Sequence, residues 1–228
     1  EIDAIVANQE EPTFENTIEA MERGGELLNY VSNIFFVLDG NETSPEMQEL
    51  ALEIQPKLVE FYNDINLNPT LWERVKKVYE GKDALTLTTE QAKLLDDTYD
   101  GFVRSGANLN DEEKARLREL NSRLAMLQLN FTQNLLYETN NTFVVVEEEA
   151  ELAGLPEANI AAAAKMAEEQ GQAGKWMFNM QRPSCNPVLQ YCSNRALRER
   201  VYKAYYNRGN QDNDHDNKAI SAEIVRLR

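Results

Sequence analysis

The acidic segment from Asp212 to Asn217 is the part of the chain whose residue types and spacing come nearest to a site for chemistry. Together with Glu223, its three aspartates place carboxylates at positions 1, 3, 5 and 12 of a calcium-binding EF-hand loop. The turn position of that loop holds Asn217 instead of glycine, Ala219 replaces a branched apolar residue, and no second loop accompanies it. These departures favour the alternative, a turn whose carboxylates cap the following helix.

Histidine and cysteine, the usual zinc ligands, are scarce. The single histidine, His215, and the two cysteines, Cys185 and Cys192, cannot build an H-E-x-x-H helix, a three-histidine site or a four-cysteine site. If their segment is helical, the cysteines lie two turns and about 10 Å apart, which is too far for an unstrained disulfide. We therefore expect free thiols and no histidine-based metal site. His215 also lacks an identifiable nucleophile that it could activate as a base.

The net charge excludes several classes of partner. The 228 residues include 39 Asp and Glu against 23 Lys and Arg, giving a net charge of −16 and a pI of about 4.6. Nucleic acids and anionic membrane surfaces bind clustered positive charge, so neither is an expected partner. The mean hydropathy of −0.57 and the absence of a long uncharged apolar run predict no membrane span.

Apolar residues recur with the 3.6-residue period of a helix through most of the chain. Thr13 is a suitable N-cap for a first helix, which Asp39-Gly40-Asn41 should end. A second helix should begin at Ser44-Pro45 and be kinked or split by Pro56. The apolar face predicted for the first helix as one continuous stripe consists of Phe14, Ile18, Met21, Leu28, Val31 and Phe35.

Three later helices have equally clear signals. A short one should carry Leu71, Val75 and Val78 and stop at Gly81. Capping boxes at Thr88–Gln91 and Asn110–Glu113 should open two more, of which the second is the longest in the chain. Because both of its faces are apolar from Met126 to Leu129, we expect this longest helix to be buried between neighbours.

The hydrophobic period changes after this helix. Thr142–Val146 and Lys175–Met180 are rich in β-branched and aromatic residues and read as strands, while Pro156–Glu169 between them reads as a helix. Helix should resume around Pro187 to Tyr206 and again from about Asp216. The sequence therefore predicts a mainly α fold, a multi-helix domain with a small strand-helix-strand insert.

The final helix has apolar residues at Ile220, Ile224 and Leu227 but no residue that would terminate it. We therefore expect the chain to be a segment of something longer.

The stretch from Lys175 to Arg228 resembles the thimet oligopeptidase / oligopeptidase A family of zinc metallopeptidases, most of all its bacterial peptidyl-dipeptidase (dipeptidyl carboxypeptidase) branch. The opening, from Pro12 to Leu28, is similar to the first long helix of that family. The positions that we single out as family-matching structural residues are Pro183, Pro187, Tyr191, Asn194, Arg195, Arg198, Tyr202, Arg208, Gly209 and Asn217.

The resemblance implies a large, two-lobed helical peptidase with a deep channel that admits short peptides. It places the zinc-binding H-E-x-x-H helix and a third ligand, a glutamate, in the second half of the polypeptide, outside this sequence. There zinc would activate water, with the glutamate of the motif as general base. No catalytic or metal-binding residue is therefore carried over to this chain, and we expect no zinc in it and no activity from it alone.

The family pattern also divides the chain into three segments and changes the interpretation of three of its motifs. Residues 1–140 should be helical, 141–182 should form the insert, and 183–228 should lead toward the missing catalytic half. For the acidic loop, the family pattern favours helix capping over calcium binding. Pro183 to Tyr191 should be a chain reversal packed against the missing half. Arg195, Arg198 and Arg200, which alternate with Glu199, should form an inter-helix ion network rather than a substrate clamp.

Two functions follow as alternatives. In the first, the chain is the channel-wall and scaffold part of a zinc peptidase that removes C-terminal dipeptides or cuts oligopeptides, with short peptides and the missing C-terminal half as partners. In the second, it is a stand-alone helical interaction module without catalysis. The resemblance favours a cytoplasmic location, and a periplasmic or membrane-anchored protein with a removed signal stays open.

Overall fold

The structure is a computed structural model that describes residues 1–227. Arg228, the last of the residues on which the family resemblance was drawn, lies outside the described residues. The chain divides into two compact units, Glu1–Met126 and the residues from Leu127 onward. The structure confirms the predicted mainly α fold with a small strand insert.

The first unit is wholly helical. A π-helical stretch, Phe14–Glu19, continues directly into α2, and a single 3₁₀ turn, Lys82–Ala84, follows α5. The α-helices of this unit are α1 (Ile2–Ala7), α2 (Ala20–Glu22), α3 (Glu26–Asp39), α4 (Pro45–Asn66), α5 (Pro69–Glu80), α6 (Thr89–Arg104) and the first half of α7 (Asp111–Asn141).

The core of the first unit lies between α5, α6 and the π-helical stretch. The predicted apolar face of α5 is buried, since Leu71 and Val75 are fully inaccessible and Val78 is nearly so. Trp72 stacks on Phe102 of α6 with ring centroids 6.1 Å apart. Burial of these side chains, at about 1.5–3 kcal/mol each, is the main source of stability in this unit.

The prediction of one continuous helix from Phe14 to Phe35 is wrong. Phe14 and Ile18 are buried in the core, but the helix ends at Glu22 and α3 begins anew at Glu26. Gly25, which precedes α3, has φ of 76°, a left-handed conformation that breaks the helical path and that glycine adopts without strain. The predicted single stripe therefore divides between two helices, and Val31 of its second part is exposed.

The predicted helix starts are confirmed. The side chain of Thr13 accepts a hydrogen bond from the Asn16 N–H, Ser44 caps α4, and reciprocal capping boxes open α6 at Thr88 and α7 at Asn110. Pro56 does not split α4, which runs unbroken from Pro45 to Asn66.

The longest helix, α7, is less buried than its sequence predicts. Ala125 and Leu129 are buried, whereas Met126 and Leu127 between them are only half-buried. The expectation of burial on both faces is therefore wrong for part of this stretch.

The second unit contains the strand-helix-strand insert that the sequence predicts. Strands β1 (Phe143–Val146) and β2 (Trp176–Asn179) pair antiparallel, with Val144 opposite Phe178 and Val146 opposite Trp176. A 3₁₀ turn, Glu149–Leu152, follows β1. The helices of this unit are the second half of α7, α8 (Glu157–Glu169), α9 (Arg182–Tyr191), α10 (Arg195–Tyr206) and α11 (Lys218–Leu227).

The core of the second unit joins the sheet to α8, α9 and α10. Val146, Met180, Val188, Leu197 and Val201 are fully inaccessible. Cys185 and Cys192 are also buried here and carry free thiols, as the spacing argument predicted. Burial raises the pKa of the Cys185 thiol, which keeps it protonated and unreactive at neutral pH.

Two predictions in this unit are wrong. Pro183 to Tyr191 is not a chain reversal but the body of helix α9. Pro183 lies in its first turn, where a missing N–H costs nothing, and the helix accommodates Pro187 in its interior. The predicted single helix around Pro187 to Tyr206 is two helices, because the chain between Tyr191 and Arg195 is extended at Cys192 and Asn194.

Candidate functional site

A buried carboxylate, Glu138 of α7, holds the loop between α10 and α11 (residues 207–217). Its side chain is 3% exposed. Its Oε2 accepts a hydrogen bond from the Gly209 N–H at 3.0 Å, and its Oε1 accepts one from the Asn213 amide at 2.6 Å. Hydrogen bonds of this kind compensate the desolvation of a buried carboxylate and fix the loop on the helix.

Gly209 and Asn217 pack against each other at the two ends of this loop. Gly209 has φ of 70°, and a Cβ at this position would lie 3.0 Å from the side-chain nitrogen of Asn217. The Asn217 N–H donates to the Gly209 carbonyl at 2.7 Å. The buried Asn217 side chain also donates to the Phe131 carbonyl and accepts from Asn134, so its amide is satisfied on both sides.

Arg208 and His215 complete the attachment of the loop to α7. The guanidinium of Arg208 donates to the Thr139 hydroxyl at 2.7 Å and lies over the ring of Tyr205. The imidazole of His215 stacks on Tyr137 with ring centroids 3.6 Å apart. The chain's one histidine therefore packs against an aromatic ring, with its Nδ1 3.4 Å from Oδ1 of Asn134.

The acidic part of the loop caps α11, as the sequence predicts. The Oδ1 of Asp216 accepts from the Lys218 N–H and its Oδ2 accepts from the Asp212 N–H, both at 2.8 Å. These hydrogen bonds, the Lys218 N–H foremost and then the Lys218 ammonium, lower the pKa of Asp216 to about 2. The Lys218 ammonium lies 2.5 Å from Asp212 and 3.0 Å from Asp216, so a lysine bridges two of the residues at the calcium-ligand positions of the template.

The side chains of residues 1–227 do not fit a zinc site. Within residues 1–227, no three side chains of His, Cys, Asp or Glu come together in a way that could hold a metal ion. Cys185 and Cys192 lie in an apolar core, and His215 stacks on Tyr137.

The second grouping of predicted residues lines an open groove between α9 and α10. The groove has a volume of about 360 Å³ and is lined by Leu189, Arg195, Arg198, Glu199 and Tyr202. Asn194 caps α10 by accepting from the N–H groups of Ala196 and Leu197. Guanidinium and phenol groups on this surface are hydrogen-bond donors that suit a carboxylate or a peptide carbonyl.

The predicted ion network forms only in part. Arg200 of α10 pairs with Glu151 at 3.4 Å and also donates to the Val145 carbonyl of β1. Glu199 pairs with Lys203 within the same helix. Arg198 instead donates to the Cys192 carbonyl, and the pKa of Glu199 is lowered by Lys203 foremost and then by the charge of Arg195.

The ten family-matching positions therefore fall into three groups within the second unit. Arg208, Gly209 and Asn217 lie in the α10–α11 loop, and Asn194, Arg195, Arg198 and Tyr202 belong to the start and body of α10. Pro183, Pro187 and Tyr191 are in α9, where Tyr191 is the exposed last residue. Sequence reasoning missed Glu138, because its partners Gly209 and Asn213 lie more than 70 positions later in the chain.

No helix within the described part of the chain combines the length and apolarity needed to cross a bilayer.

Comparison with known proteins gives consistent matches over the chain. Residues 1–114 match the family model of the neurolysin/thimet oligopeptidase N-terminal domain. Dipeptidyl carboxypeptidase of Escherichia coli strain K12 is 36% identical over 228 residues, which cover this whole chain and 34% of that protein. Oligopeptidase A of the same strain is 31% identical over 231 residues, covering 34% of its length, and a probable cytosolic oligopeptidase A of Arabidopsis thaliana is 28% identical over 224. The chain thus spans about a third of the length of the curated relatives that it matches.

Proposed function

Because the chain belongs to the neurolysin/thimet oligopeptidase family, we propose that it forms the channel-wall and scaffold part of a zinc peptidase that hydrolyses short peptides. The observation that carries the proposal is the match of the whole chain, at 36% identity, to a dipeptidyl carboxypeptidase about three times as long. Under this proposal the polypeptide continues beyond these 228 residues into a catalytic part that holds the zinc ion.

The polar side chains of the α10–α11 loop support a scaffold role rather than a catalytic one. The polar residues of the α10–α11 loop bond to one another and to α7, and most of their donors and acceptors are satisfied internally. Such a loop fixes the start of α11 and the direction in which the chain continues. We propose that Arg208, Gly209 and Asn217 are structural residues of this kind, and that zinc is held entirely outside the chain.

The α9–α10 groove is the surface that we assign to the channel wall. Tyr202 is about half exposed there, and Arg195, Arg198 and Glu199 line the same groove. In the proposed enzyme this surface faces short peptides or the catalytic part. Release of C-terminal dipeptides and internal cleavage are both compatible with it, and a cytoplasmic location is part of the proposal.

The experiment that tests the proposal is to read the coding sequence beyond Arg228. An H-E-x-x-H motif within a few hundred codons, followed by a downstream glutamate on a helix, is the expected result. A stop codon soon after Arg228 would overturn the proposal and leave the stand-alone interaction module as the function.

A further inference from the structure

Helix α3 has a face of large apolar side chains that nothing in its unit covers. Between Glu26 and Asp39 the helix contains no charged residue. Its half-buried apolar side chains are Leu28, Phe35 and Phe36. The exposed ones are Leu27 (76%), Tyr30 (65%), Val31 (54%), Ile34 (44%), Val37 (62%) and Leu38 (47%).

These six exposed side chains form one continuous stripe. Their spacing of three and four residues places them within about 120° of the helix circumference, and from Leu27 to Leu38 they extend for about 17 Å. The opposite side of α3 is the half-buried one. A helix that is apolar on both sides is typical of a position between two layers, and the outer layer is absent here.

Scattered apolar residues on a surface need no explanation, but a contiguous stripe does. Neighbouring helix α4 exposes Leu50 and Phe61, which lie on one of its faces, by about 40% each. The six exposed residues above define the α3 stripe.

The charge of helices α3 and α4 argues against a second copy of the chain as the cover. Two copies meeting through this surface would bring two strongly acidic regions together, which is unfavourable. Between positions 26 and 66, Lys57 is the only basic residue, and the acidic ones are Glu26, Asp39, Glu42, Glu46, Glu49, Glu53, Glu60 and Asp64. A segment with an apolar stripe flanked by Lys or Arg complements both features.

We propose that the α3 stripe is covered by an amphipathic, basic-flanked segment of the same polypeptide, from the two thirds of the relatives' length that this chain does not span. The inference rests on the proposed function, because it requires the longer polypeptide. A tethered segment has a high effective concentration, so the surface needs little intrinsic affinity to be covered.

The first test compares the 228-residue chain with the complete polypeptide encoded by its gene, each carrying Val31→Asp. In the short chain, where Val31 is exposed, the melting temperature should change by less than about 2 °C. In the complete polypeptide the same change buries a charge and should lower the melting temperature by about 5 °C or more. Asn33→Asp, which adds the same charge to the same helix off the stripe, is the matched control and should leave both unchanged.

The second test measures coverage without relying on stability. A thiol introduced by Val31→Cys should react with a maleimide at least about tenfold more slowly in the complete polypeptide than in the short chain, against the low background of the buried Cys185 and Cys192. Equal rates would overturn the proposal. A complete polypeptide that forms a stable dimer, and becomes monomeric on Val31→Asp, would also overturn it by assigning the stripe to a second copy.

Peptide cleavage by the unmodified complete polypeptide separates this inference from the proposed function. Cleavage together with equal maleimide rates would contradict only the inference about α3. Slow labelling at position 31 without cleavage would support the inference and contradict the peptidase function.

Discussion

The Gly209 N–H donates to Oε2 of Glu138 at 3.0 Å, 71 residues earlier in the chain, and this bond joins the α10–α11 loop to α7. Glu138 also accepts from Asn213, so both of its oxygens are occupied by loop donors. The helix α7 thus determines where the loop, and the helix that follows it, are placed.

Removing that carboxylate should destabilise the second unit. Glu138→Ala leaves the buried Gly209 N–H and the Asn213 amide without their acceptor, and we expect a loss of about 1–3 kcal/mol in the free energy of unfolding. Glu148→Ala, at an exposed position after β1, is the control and should change it by less than about 0.5 kcal/mol. Urea unfolding followed by circular dichroism measures both, and equal small effects would show that the loop is not held by Glu138.

Gly209→Ala tests the close approach to Asn217. Gly209 and Gly171 have nearly the same φ, 70° and 72°, but a Cβ at Gly171 meets no atom within 4 Å. Gly171→Ala should therefore cost only the backbone strain of about 1–2 kcal/mol. Gly209→Ala should cost about 1 kcal/mol more, because Asn217 must shift from its partners. Equal losses in thermal unfolding would show that Asn217 has room to move.

The depressed pKa of Asp216 predicts an acid-sensitive cap on α11. Its folded-state pKa of about 2 lies below the ordinary value, so the stabilisation is fully present above pH 4 and is lost as the pH falls toward 2. Replacing Asp216 by Asn should remove this pH dependence between pH 5 and 2. A carbon-detected NMR titration of the Asp216 carboxyl checks the pKa directly, and an ordinary value near 4 would contradict the capping geometry.

Arg74 should be the most sensitive charged residue of the first unit. It is 6% exposed, and its guanidinium donates to the carbonyls of Asn8 and Glu10 and to the side chain of Asn16. Arg74→Met leaves these acceptors unpaired and should cost about 2–4 kcal/mol. Lys77→Met removes only an exposed pair with Glu11 and should cost less than about 1 kcal/mol in the same urea titration.

The helices were predictable where local signals decide them. Capping residues such as Thr13, Ser44 and Thr88 and the periodic core of α5 gave the right helix starts and the right buried face. The strand-helix-strand insert followed from β-branched residues around Val144.

The errors came from positions where backbone conformation or distant contacts decide the outcome. The left-handed Gly25 ends a stripe that remains periodic in sequence, and Pro187 does not prevent α9 from forming. The role of Glu138 depends on Gly209 and Asn213, more than 70 positions away, which no local pattern can indicate. Arg198 bonds to a carbonyl instead of a carboxylate for the same reason.

Zinc content and peptide cleavage, measured side by side on the 228-residue chain and on the complete polypeptide, test the central claim most directly. We predict no stoichiometric zinc and no cleavage of a quenched peptide by the 228-residue chain, and one zinc ion with chelator-sensitive cleavage in the complete polypeptide. Chelator-sensitive cleavage by the 228-residue chain alone would contradict the placement of the catalytic site outside it.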